Sequence, residues 1–249
     1  MTNQSLESQP VVLITGAARR IGAAIAQALH GAGMRVGLHY RNSRTEALSL
    51  CADLNRRRAD SACCLHADLG RLEDIHRIAS DILTRFGRLD VLINNASGFY
   101  PTSIEQLHES SFDNLIASNL KGPAFLISAL VPALRQQHGC IINISDIHAR
   151  LPLAAHSVYC AAKAGLESMT RVLALDLAPR IRVNGIAPGA ILWPQDDAEW
   201  SAEKRSAILA GSALKRLGRA DDIAAAALFL VRDGAYITGQ ILNVDGGRR

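Results

Sequence analysis

The chain of 249 residues is 49% hydrophobic and 20% charged, with a net charge of +4. That composition excludes a disordered chain. The length suits one domain over residues 1–249, with no linker or charge block to divide it.

The arginines are scattered through helical patterns (Arg71, Arg77, Arg85) instead of gathered in one run. This argues against a nucleic-acid partner and leaves an anionic small ligand open. No apolar run reaches the roughly 20 residues of a membrane span. Residues 1–10 are polar, lack the apolar stretch of a secretory signal and read as a frayed tail. Cys51, Cys63, Cys64, Cys140 and Cys160 show neither metal-ligand spacing nor a disulfide framework, and the histidines form no metal pattern. A cytoplasmic protein with no catalytic metal and no membrane association is the expectation.

Strand and helix patterns alternate. Strands are predicted at 11–15, 35–39, 62–67, 91–94, 140–144, 182–186 and 240–244. Helices are predicted at 21–32, 45–57, 72–86, 112–136, 157–177 and 223–231. Strands apolar on both faces, each followed by a helix, specify a parallel sheet covered on both sides. Right-handed crossovers make this a doubly wound, three-layer α/β/α Rossmann arrangement of about seven strands. The segment 188–212 reads as a substrate lid that carries Trp193, Gln195-Asp196-Asp197 and Trp200.

Ligands of such sheets bind beyond the carboxyl ends of the strands. The turn after the first strand reads Thr15-Gly16-Ala17-Ala18-Arg19-Arg20-Ile21-Gly22 and runs into a helix, the setting of a phosphate-binding loop. The second strand ends His39-Tyr40-Arg41-Asn42-Ser43, with no carboxylate before Glu46. A carboxylate there would bind a ribose 2′-hydroxyl and repel a 2′-phosphate, so Arg19, Arg41, Asn42 and Ser43 point to NADP. Asp68, after the third strand, is placed to accept from an adenine amino group or to cap the next helix. Tyr159 and Lys163 lie four residues apart on one helix face. A neighbouring ammonium favours phenolate, so Lys163 is expected to draw down the tyrosine pKa.

Together with Asn94-Asn95-Ala96, Asn119, Pro188-Gly189 and Asp245-Gly246-Gly247, these elements resemble the short-chain dehydrogenase/reductase family over nearly the whole chain. The resemblance implies Tyr159 as general acid, Lys163 on the nicotinamide ribose and tuning Tyr159, and Asn119 supporting a proton-relay water. The cofactor contacts it implies are Gly16, Arg19, Arg20, Ile21, His39, Tyr40, Arg41, Asn42, Ser43, Asp68, Leu69, Asn95, Ala96, Ser97, Ser145, Tyr159, Lys163, Pro188 and Gly189. It also implies a homotetramer pairing the long helices and the C-terminal strands.

Two departures from the common family pattern resemble its pteridine reductase branch. Arg20 stands at the second glycine of the loop, and Asp146 stands where the usual serine lies thirteen residues before the tyrosine. Ser145 is one position early and is expected to point elsewhere. The substrate set then comprises Arg20, Ser97, Phe99, Asp146 and Tyr159, with Phe99 stacking a pterin. The expected activity is NADPH-dependent hydride transfer to a C=N bond of a pterin, with Asp146 assisting protonation of a ring nitrogen. Blander roles exist for Phe99 (a core aromatic), Arg20 (a surface residue) and Asp146 (a turn cap). The competing activities are a carbonyl reductase of the same family and a non-catalytic NADP-binding protein.

Overall fold

The computed structural model describes residues 9–191 and 201–248. Most of the expected tail, together with Trp193, Trp200 and Gln195-Asp196-Asp197 of the expected lid, lies outside the described residues. In chain order the elements are β1 (Val11–Ile14), α1 (Arg20–Gly31), β2 (Arg35–Tyr40), α2 (Arg44–Arg57), β3 (Ala62–His66), α3 (Leu72–Phe86), β4 (Val91–Asn94) and α4 (Glu109–Ile116). Then follow α5 (Gly122–Gln136), β5 (Cys140–Ile144), α6 (Ser157–Asp176), β6 (Arg182–Pro188), α7 (Ala202–Ala210), α8 (Ala220–Arg232) and β7 (Ile241–Val244).

All seven strands pair parallel in one sheet of order β3-β2-β1-β4-β5-β6-β7. The order reverses between β1 and β4, which opens the crevice where a doubly wound sheet takes its ligand. The central strands are buried on both faces because each face carries its own core. Val12, Ile14, Val36 and Leu38 pack with Ile25 and Leu29 of α1, Leu54 of α2 and Leu230 of α8. Val11, Leu13 and Leu92 face the other way, against Ile75, Ile78 and Ile82 of α3 and Leu126 and Leu130 of α5. In α3 the buried positions Ile75, Ile78, Ala79, Ile82 and Phe86 follow the helical repeat, and Gly87 ends it in the left-handed region at φ +75.

The helix predicted at 112–136 begins at Glu109 and is interrupted by a π turn at Ala117–Lys121. The N–H of Gly122 donates to the carbonyl of Ala117, five residues back. Pro123 has no N–H to give to the carbonyl of Asn119, so the regular ladder fails at that point. The widened turn places Asn119. By length and composition Glu109–Gln136 is also long and apolar enough to cross a membrane, a feature the sequence reading did not register. Its inward side chains Leu126, Ile127, Leu130 and Leu134 are buried in the sheet's core. Within the expected lid, 202–210 is the helix α7, and Ile191 bridges to Gly218.

Candidate active site

The loop after β1 is built from close backbone approach. Gly16 sits at φ +61, and a Cβ there would stand 3.0 Å from Ala96 Cα. A Cβ on Gly22 would lie 2.2 Å from the carbonyl oxygen of Gly16. Only glycine fits either place. Thr15 Oγ1 accepts from the N–H groups of Asn95 and Ala96, both at 2.9 Å. Asn95 Nδ2 donates to the carbonyls of Thr15 (2.8 Å) and Gly16 (3.0 Å). Asn95, expected as a cofactor contact, therefore spends its side-chain donors on bracing the loop.

His39 has the same kind of duty. Its Nδ1 accepts from the N–H of Gly16 at 3.1 Å and its Nε2 donates to the carbonyl of Ala67 at 3.1 Å. Burial lowers its pKa from the usual 6.5 to about 4. The unfolded chain protonates this imidazole below pH 6.5 while the folded protein resists until about pH 4. The stabilisation is therefore complete above pH 6.5 and is lost as pH falls towards 4. By linkage the loss is about 3 kcal/mol. Urea unfolding at pH 7 and pH 4.5 should show a drop that is smaller in His39→Gln, which lacks the titrating ring; equal drops would remove His39 from the account.

A cleft of about 980 Å³ opens over this loop, lined by Gly16, Arg19, Arg20, Ile21, Gly22 and His39, by Tyr40, Arg41, Asn42 and Ser43, by Asp68 and Leu69, and by Asn95, Ala96 and Ser97. The structure thus brings most of the expected cofactor set to one wall. Ala18, Gly98, Ser118 and Lys121 also line it and were not anticipated. Ser145, Tyr159, Lys163, Pro188 and Gly189 are not part of that lining. Arg19 faces Glu46 at 3.5 Å and Arg41 faces Asp68 at 3.8 Å. Asp68 does not cap α3, whose N-cap position is Arg71; its Oδ1 accepts from the N–H of Gly70 at 2.9 Å. Arg20 adopts φ +53, a backbone region that favours glycine.

Tyr159 Oη donates to Asp146 Oδ2 at 2.6 Å. Asp146 Oδ1 meanwhile accepts from the N–H of His148 at 2.8 Å, so the carboxylate caps a short turn as well as facing the tyrosine. Lys163 is buried, and its Nζ donates to the carbonyl of Ile144 at 2.9 Å. Burial lowers its pKa from 10.5 to about 8, against an opposing pull from Asp146. Tyr159 moves the other way from the expectation: burial first, and then the Asp146 carboxylate, hold its pKa well above the ordinary phenol range. In this state it is a retained proton donor, and the ammonium of Lys163 stands 5.8 Å from its ring centre.

Asn119 is fully buried, with Oδ1 accepting from Ser97 Oγ at 2.7 Å and Nδ2 donating to the carbonyls of Gly98 and Leu115 at 3.0 Å each. Phe99 is 52% exposed. Its ring stacks on His156 at 4.8 Å and meets the Tyr159 ring edge-on at 4.9 Å. It is not a core aromatic. Ser145, expected at the cofactor, is buried with its hydroxyl donating to Glu167 Oε1 at 3.1 Å. Glu167 escaped the sequence reading, although it continues the Tyr159–Lys163 spacing by one more turn.

The family model described as enoyl-(acyl carrier protein) reductase matches residues 16–249. The chain is a short-chain dehydrogenase/reductase. It is 36% identical to pteridine reductase 1 of Leishmania tarentolae, with 96% of each chain covered. It is 35% identical to the 3-oxoacyl-(acyl-carrier-protein) reductase FabG of Staphylococcus aureus (strain Mu50 / ATCC 700699), over 94% of this chain and 96% of that one. An uncharacterized oxidoreductase of Mycobacterium tuberculosis (strain CDC 1551 / Oshkosh) is 37% identical over 95% of this chain and 91% of its own. This dehydrogenase/reductase is therefore an oxidoreductase of a family that works with a nicotinamide cofactor, and overall identity does not separate its pteridine reductase relative from its 3-oxoacyl-(acyl-carrier-protein) reductase relative.

Proposed function

We propose that this protein is an NADPH-dependent pteridine reductase that reduces a C=N bond of a pterin or dihydropterin of biopterin, monapterin or folate type. The observation that carries the proposal is the Asp146 carboxylate 2.6 Å from the Tyr159 hydroxyl, with the exposed Phe99 ring beside the same tyrosine. When bound, the cofactor supplies the hydride to the ring carbon. Tyr159 and Asp146 hold the proton for the adjacent ring nitrogen, which becomes N–H as the carbon becomes C–H. Phe99 offers a flat apolar face to a bicyclic ring. Arg20 keeps a long side chain where the backbone favours glycine, a strain of about 1 kcal/mol that fits a side chain retained for a ligand.

Asn119 and Ser97 fix the wall next to Tyr159. The glycine cradle and the cationic rim fit a dinucleotide carrying a 2′-phosphate. Replacing Arg41 with alanine should weaken NADPH binding by about thirty-fold, the worth of one charge-assisted hydrogen bond of about 2 kcal/mol. NADH binding should stay unchanged; parallel fluorescence titrations would detect an equal loss for both, which removes Arg41 from phosphate recognition.

The second reading is a carbonyl reductase, favoured by the FabG resemblance. Against it, a carboxylate at Asp146 would oppose the alkoxide that develops during ketone reduction. NADPH oxidation measured with dihydrobiopterin, dihydromonapterin, dihydrofolate and a 3-oxoacyl thioester separates the two. Turnover of the thioester alone would reject the pterin reading. We also propose a homotetramer in a reducing cytoplasm. The exposed apolar side chains Phe112 and Phe125 on α4 and α5, Val172 and Leu175 on α6 and Leu242 on β7 suit such an assembly, and the five thiols are free.

A further inference from the structure

Helix α6 presents one polar side chain per turn to the end of β5. Tyr159, Lys163, Glu167 and Thr170 are spaced by four, four and three residues, the spacing of a single helix face. Each engages a different one of four consecutive residues. Thr170 Oγ1 accepts from Asn143 Nδ2 at 2.9 Å, and Lys163 Nζ donates to the carbonyl of Ile144 at 2.9 Å. Glu167 Oε1 accepts from Ser145 Oγ at 3.1 Å, and Tyr159 Oη donates to Asp146 Oδ2 at 2.6 Å.

Lys163 and Tyr159 belong to the reaction centre, and Asn143 and Thr170 form a neutral buried pair that continues to Asn94 Nδ2 at 2.9 Å. Glu167 has neither role, yet it is a carboxylate only 3% exposed. Burying such a group is costly unless close partners surround it. Its partners are Ser145, Arg150 at 3.2 Å and Arg171 at 3.3 Å. Arg150 also donates to Asn243 Oδ1 of β7 at 2.6 Å, which anchors the cluster to the next strand but one.

We propose that Glu167 is a positioning residue for the Asp146–Tyr159 pair, acting through the hydroxyl of Ser145. The N–H of Ser145 is held by the carbonyl of Ile186 at 2.7 Å, and Glu167 holds its side chain. With its N–H and its side chain both held, Ser145 restrains the chain leading into Asp146, and the carboxylate meets the phenol two helical turns from Glu167. The hydrogen bond of 2.6 Å tolerates little rotation of that peptide. A displacement of the order of an ångström at a reacting pair costs rate more than affinity.

The inference rests on the reading that Asp146 and Tyr159 handle the proton. In Glu167→Ala, kcat with the best dihydropterin should fall about ten-fold, while KM for pterin and NADPH stays within about two-fold. Glu167→Gln keeps a neutral acceptor for Ser145 and should remain within about three-fold of the parent. Ser145→Ala should match the loss of Glu167→Ala, and the double variant should lose no more than either alone. An unchanged kcat in Glu167→Ala, equal losses in the glutamine and alanine variants, or additive losses in the double variant would each overturn the proposal. If Glu167→Ala does not fold, Ser145→Ala, which removes a single hydroxyl, carries the same test.

A parent protein inert on every pterin would reject the functional reading, and Tyr159 itself then reports on Glu167. The carbon-13 resonance of the Tyr159 phenol carbon, assigned by its loss in Tyr159→Phe, reports the hydrogen bond to Asp146 and should shift in Glu167→Ala and not in Glu167→Gln. An unchanged resonance in both variants would overturn the positioning role.

Discussion

Tyr159→Phe is expected to lower kcat about a thousand-fold, within the range that general acid catalysis contributes. The substitution removes one hydroxyl and leaves the ring that packs against Phe99. The substitution leaves the glycine cradle and the cationic wall of the cleft unaltered, so NADPH affinity should change by less than about three-fold. The lost hydroxyl also deprives Asp146 Oδ2 of its donor, which puts the cost on proton delivery and not on substrate capture. Stopped-flow turnover and cofactor titration on the same preparation check both halves. A loss below about ten-fold would mean that another group delivers the proton.

Asp146→Asn is expected to lower kcat by about a hundred-fold and to move the alkaline limb of kcat/KM to lower pH. The asparagine still accepts from Tyr159, so the geometry can persist while the negative charge is gone. That charge raises the pKa of both neighbours. It holds the Tyr159 phenol up after burial has already done so, and it opposes the burial that brings Lys163 down to about 8. Without it both pKa values fall, and the proton of Tyr159 and the charge of Lys163 are lost at lower pH than in the parent. In the parent, the limb should lie near pH 8, where Lys163 loses its charge. A pH profile of kcat/KM for parent and variant reads this directly. A limb that stays in place would show that the carboxylate does not face these groups in the working enzyme.

The order of strands and of the helices that cover the sheet was legible because the central strands are apolar on both faces and those helices keep one apolar stripe. The break at Asn119 was not, since one extra residue in a turn leaves hydrophobic periodicity almost unchanged; Pro123 was the local sign. Helix α7 was hidden by its weak apolar repeat (AEKRSAILA) within a stretch that reads as a lid. At the site, the spacing of Tyr159 and Lys163 put them on one helix face, and Asp146 was picked out by the family resemblance as the residue standing where the usual serine lies. The duties of His39, Asn95 and Ser145 depend on what lies across the sheet. His39 reaches Gly16 and Ala67, Asn95 reaches Thr15 and Gly16, and Ser145 reaches Glu167, all contacts made by folding. These polar residues near the cofactor loop are therefore struts of the loop and strand. The direction of the Tyr159 shift was missed for a similar reason: Lys163 was visible in sequence, but the depth of burial was not.

The central claim is that hydride reaches a pterin ring carbon. It is tested most directly by offering the enzyme an equimolar mixture of a dihydropterin and a 3-oxoacyl thioester, with NADPH deuterated at the transferring position. The account predicts deuterium on a carbon of the reduced pterin ring and an unlabelled thioester; deuterium at the carbinol carbon of a 3-hydroxyacyl product, with the pterin unlabelled, would contradict it.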